Sequence, residues 1–159
     1  MWICDTHSDT LYAMGVMKTP EAELMITPER LRRGGVTLQT FALWSGRKGN
    51  QGDVQGVMDA EMSMVPKMLA AGLKQVDDPA QVKEGENAFM LSIEGAEIFE
   101  QGLEKVAEWR EKGVRRVALL WNNENKLGRS AKSGSKEGLT AYGVQVVKEM
   151  QRLHMAVDT

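Results

Sequence analysis

Apolar runs alternate with polar clusters along the whole chain. WIC at 2–4 is cut off by DTHSD, VTLQTFALW at 36–44 by SGRKGNQ, AFMLSI at 88–93 by EGAE, and RRVALLW at 115–121 by NNEN, while MAVDT at 155–159 starts a fifth run. Each run is nearly continuous rather than cleanly alternating, which predicts strands buried on both faces, as in a parallel sheet. Between them the period changes to that of a helix. Val54, Val57, Met58, Met62, Val65 and Met68 or Leu69 recur at helical spacing, with Asp53 placed to cap the start and Pro66 placed to kink or break the helix. A shorter helix is predicted over ITPERLRRGG, with Thr27 as cap and Pro28 in the first turn. Leu103, Val106, Ala107 and Arg110 mark another that ends near Gly113, and Val146, Val147, Met150 and Leu153 mark a last one.

Strand, helix, strand, helix, with crossovers of adequate length, predicts an α/β fold built on a parallel sheet. The polar clusters DTHSD, WSGRKGNQ, EGAE and WNNEN all follow the C-terminal ends of predicted strands. That is the edge on which α/β barrels and open α/β sheets carry their sites. A closed eight-stranded barrel needs roughly 250 residues. The 159 residues here hold about five strands, so the expectation is a partial (β/α)8 TIM-type barrel, one domain or part of one.

Composition narrows the partners. Hydrophobic residues make up 42% and charged residues 26%, with four prolines, which describes a globular chain rather than a disordered one. A net charge of −2 and a pI near 5.8 leave no basic face for a phosphate backbone, so no nucleic-acid partner is expected. The single cysteine, Cys4, excludes an intramolecular disulfide and reads as inert packing in an apolar strand. No apolar run approaches the ~20 residues of a membrane span, and no basic-then-apolar leader precedes WICDTHSD, so the expected setting is cytoplasmic with no membrane partner.

The chemistry concentrates at strand ends. His7 and Asp9 are two residues apart, so on a continuing strand their side chains would share one side and could ligate one cation. A polar turn is the plainer reading of that motif by itself. Glu94 ends a different predicted strand on the same edge, with Gly95 after it to permit a tight turn, and it shifts the balance toward a convergent site. Asp5 either orients His7 or simply ends the strand.

DTHSDT, GGVTLQTFALWSG, SIEGAE, RVALLWNNENKLG and GLTAYGVQVVKEMQRLHMAVD, in that order, resemble the N-terminal half of the renal (membrane) dipeptidase family of metallopeptidases. The resemblance covers nearly the whole chain. It implies a (β/α)-barrel enzyme with two zinc ions that hydrolyses dipeptides. It also implies metal-ligand roles for His7 and Asp9 on the first strand, and a metal-bridging role for Glu94. In that family the second ion takes two histidines from later strands.

Those histidines have no counterpart here. The one other histidine, His154, falls on a helix-to-strand connection where relatives frequently carry glycine, and it reads as a surface residue. The expectation is therefore a single half-site, with the second metal's ligands and the groups that grip a dipeptide's ends lying beyond Thr159, and with poor activity for these residues alone. Where several relatives have a substrate-contacting histidine, this chain has Trp121, read either as a large residue closing the barrel mouth or as a substrate-side contact. Asn122, Asn123 and Glu124 read as loop formers. KLGRSAKSGSKEG at 126–138 reads as a polar loop without phosphate-loop spacing. Two rival readings stand beside the dipeptidase: another metal-dependent barrel hydrolase, such as a deacylase or phosphoesterase, and a non-catalytic fragment that pairs with a partner chain or with itself.

Overall fold

A computed structural model describes residues 2–45 and 52–159. Among these, six strands form one sheet in the order β1 (Cys4–Asp5), β2 (Leu38–Trp44), β4 (Ala88–Glu94), β5 (Val114–Ala118), β6 (Ala156–Asp158), with the short β3 (Lys74–Gln75) pairing to β4. The pairings β1 to β2, β3 to β4 and β5 to β6 are parallel, as the continuous apolar runs predict. By density of contacts the chain divides into two compact units, Met1–Trp44 with Gln55–Leu91, and Ser45–Val54 with Ser92–Thr159.

In the first unit, β2 is buried along nearly its whole length, and Phe41 packs against Phe89 of β4 with ring centroids 5.5 Å apart. Removing one such side chain from water contributes about 1.5–3 kcal/mol. Helix α1 (Thr10–Gly15) follows directly on DTHSD, where no helix was expected. It packs against α3 (Val54–Met62) so closely that a Cβ on Gly15 would collide with the carbonyl of Ala60, so only glycine fits at this crossing. Helix α2 (Pro28–Gly34) starts as predicted: the Thr27 hydroxyl accepts the Arg30 N–H at 3.2 Å and Pro28 takes the first turn. The long methionine-rich stretch is split, with α4 (Val65–Ala70) beginning one residue before Pro66, because proline has no N–H to continue α3.

The second unit carries the end of β4, α5 (Glu104–Glu111), β5, α6 (Ala141–Arg152) and β6. Ile93, Ile98, Phe99, Val106, Trp109, Val117, Val146 and Met150 are all buried to within 1%. Thr140 caps α6 by accepting the Gly143 N–H at 3.0 Å, and the Arg110 side chain ties α5 to the far end of α6 through the Leu153 carbonyl at 3.0 Å. No helix of the described residues is long and apolar enough to cross a membrane.

Two expectations fail at the ends of the sheet order. β1 and β6 are not buried on both faces: β6 is exposed throughout, and Cys4 of β1 is exposed rather than packed. Each is a terminal strand in the sheet order and so has one neighbour instead of two.

Candidate metal centre

Strand β1 ends at Asp5, so strand alternation does not set the directions of His7 and Asp9. The short connection to α1 does so instead. An Asp5 Oδ1 accepts the His7 backbone N–H at 3.1 Å, and the Ser8 carbonyl accepts the Ala42 N–H of β2 at 2.9 Å. Asp9 takes the position before α1 without using its carboxylate as a cap, so that group stays available. His7 Nε2 and Asp9 Oδ1 come to rest 3.3 Å apart, with side chains 45% and 61% exposed. Asp5 therefore bonds the main chain of His7.

Glu94 is the last residue of β4 and is half-buried. Gly95 follows at φ 81°, a left-handed conformation that side chains disfavour, and its N–H bonds the Ala118 carbonyl of β5 at 3.0 Å. The turn thus ends the strand at the glutamate.

His7 and Asp9 belong to the first unit and Glu94 to the second, and each carries a side chain that can ligate a metal. Ligands about 2.0–2.1 Å from a tetrahedral zinc sit roughly 3.3 Å from each other. The His7–Asp9 spacing of 3.3 Å already has that value. One imidazole and two carboxylates suit zinc and several other divalent ions, so the donor set fits a metal.

A third carboxyl belongs to this region and was missed in the sequence. Glu61 of α3 is fully buried, and both its oxygens accept the Trp44 N–H at the end of β2, at 3.1 and 3.0 Å. Burial pushes its pKa up to about 9, opposed by the Trp44 hydrogen bond and reinforced by the negative charge of Asp9. At neutral pH it is an uncharged acid. The Trp44 ring in turn meets Tyr12 of α1 edge-on, centroids 5.0 Å apart. The signal lay in the spacing: Val57, Met58, Glu61 and Val65 recur on one helical face, and a glutamate on an apolar face must be neutral or paired.

The remaining sequence candidates divide. His154 is exposed at φ 54°, which accounts for a position that suits glycine. Trp121 is half-buried in the loop after β5. In that loop the Asn122 carbonyl accepts the Ser130 hydroxyl at 3.0 Å and Glu124 pairs with Arg129 at 3.0 Å, so both shape the loop. Most of the WSGRKGNQ cluster lies outside the described residues.

The sequence model of the membrane dipeptidase family, peptidase family M19, matches residues 1–159. An uncharacterized dipeptidase of Schizosaccharomyces pombe is 33% identical over 78 residues, which is 46% of this chain and 19% of that protein. Two solved structures superpose on 99% of the chain with a TM-score of 0.81. One is dipeptidase AC, a metallopeptidase, at 20% identity; the other is a metallopeptidase from Rhodobacter sphaeroides, solved with a phosphinate mimic of the dipeptide L-Ala-D-Ala, at 19%. The chain spans 56% and 58% of those two structures, so the likeness shows a shared α/β fold over part of their length, in line with the partial parallel barrel expected from sequence.

Proposed function

Since this chain belongs to the membrane dipeptidase family of metallopeptidases, we propose that it contributes one half of a two-zinc centre for dipeptide hydrolysis, with His7, Asp9 and Glu94 as ligands. The observation that carries this reading is the His7–Asp9 pair, with Nε2 and Oδ1 3.3 Å apart directly after the first strand. The dipeptide substrate is supported by the Rhodobacter sphaeroides metallopeptidase, which holds a dipeptide mimic.

Paired zinc ions would supply a water of lowered pKa and Lewis-acid stabilisation of the developing oxyanion. The chain's own residues prepare that chemistry. Asp5 fixes the His7 main chain, which limits the swing of the imidazole. The Gly95 turn ends β4 at Glu94, whose carboxylate would help to hold the metal. Glu61 contributes no charge to this region while protonated. Trp121 supplies an apolar surface on the substrate side. The second ion's ligands come from outside residues 1–159 in this reading.

Calorimetric zinc titration tests it. One zinc per chain is expected, and Asp9→Ala or Glu94→Gln should each weaken binding at least about tenfold. Unchanged affinity in both variants would remove the triad. With zinc present, residues 1–159 should hydrolyse L-Ala-D-Ala, N-acyl amino acids and phosphoesters far more slowly than an intact two-metal enzyme. Dipeptide turnover at full-enzyme rates would overturn the half-site.

A further inference from the structure

Away from the three ligands, the stretch between α1 and α2 folds over α4 and leaves a cavity of about 110 Å³. Leu24 and Met68, 4% and 2% exposed, line it with the half-buried Met14 and Ile26. Two charged residues, Glu21 and Lys67, line it as well, and both also line an adjoining recess of about 260 Å³ together with Met14 and Leu24. The other cation of that recess, Lys18, is engaged, because its ammonium donates to the Gly15 carbonyl. Among the described residues, neither the Glu21 carboxylate nor the Lys67 ammonium forms a hydrogen bond or ion pair, with each other or with anything else.

We propose that this cavity binds a free amino acid with an apolar side chain, its carboxylate on Lys67, its ammonium on Glu21, and its side chain among Met14, Leu24, Ile26 and Met68. The unpaired opposite charges select the zwitterion. A simple carboxylic acid would meet Lys67 but face the like charge of Glu21, and an amine would do the reverse. Size sets the side chain. Pockets for drug-sized ligands run to roughly 300–1,000 Å³, so a cavity near 110 Å³ takes a single side chain of about four heavy atoms, such as that of leucine or methionine. Methionines in the wall adapt to either shape. Because both charges are solvent-exposed, the affinity is modest, with a Kd on the order of 1 mM.

The test uses zinc-free protein, so the outcome does not depend on the metal reading. With 13C-methyl methionine labelling, L-leucine should shift the Met14 and Met68 signals saturably. 4-Methylpentanoate, which lacks the ammonium, and isopentylamine, which lacks the carboxylate, should bind at least about tenfold more weakly. Lys67→Gln and Glu21→Gln, both at exposed positions, should keep the thermal midpoint and each weaken leucine about tenfold. Absence of a saturable shift up to ~20 mM leucine, or binding of either single-charge analogue as tight as that of leucine, or leucine affinity unchanged in both variants, overturns the proposal.

Discussion

Replacing Glu61 by glutamine should abolish a pH dependence of stability that the buried carboxyl imposes. Glu61 is fully buried with its pKa pushed from 4.5 up to about 9. Between those values the folded chain keeps a proton that the unfolded chain releases. The folded state therefore binds more protons, and stability falls as pH rises, by about 1.4 kcal/mol per pH unit. The stability is fully present below pH 4.5 and is lost progressively up to about pH 9. From pH 5 to pH 8 the loss is about 4 kcal/mol, a ceiling because compact unfolded chains soften the contrast. Glutamine keeps the size and an acceptor for the Trp44 N–H but cannot ionise. Its amide hydrogens find no assured partner, which costs about 1–3 kcal/mol at every pH. At pH 5 the variant should thus equal or fall below the parent, and at pH 8 it should match or exceed it. Urea denaturation followed by tryptophan fluorescence, at half-unit steps from pH 5 to 9, reads both curves. A stability difference between the two proteins that stays constant over that range would falsify the burial argument.

Three further outcomes follow from named contacts. Gly15→Ala drives a Cβ into the Ala60 carbonyl and should cost about 1–3 kcal/mol in urea denaturation, with a matching fall in thermal midpoint. Thr27→Ala removes the acceptor of the Arg30 N–H and should cost about 1 kcal/mol, largely recovered by Thr27→Ser. Asp5→Ala removes the acceptor of the His7 N–H, worth about 0.5–1.5 kcal/mol, and should weaken zinc binding by no more than about tenfold while leaving the stoichiometry unchanged.

How the parts of the chain revealed themselves follows from the range of the forces involved. β2 and β4 stood out because strands buried on both faces must be apolar at every position. Thr27, Pro28 and Pro66 marked helix ends because capping and the missing proline N–H act within one turn. His7, Asp9 and Glu94 were legible as candidate metal donors because that chemistry is carried by residue type, and the order of the motifs along the chain carried the family.

Tertiary structure decided what depends on neighbours distant in sequence. The exposure of Cys4 and of β6 comes from their places at the ends of the sheet order, which no local pattern encodes. Helix α1 is six residues long, too short to stand without packing, and it exists because Gly15 lets it press against α3. The geometry of His7 and Asp9 rests on a connection tied to β2 rather than on strand alternation. Glu61 is the sharpest case: its type says charged, yet burial against the Trp44 amide makes it a neutral acid, because desolvation is a property of the surroundings and not of the residue.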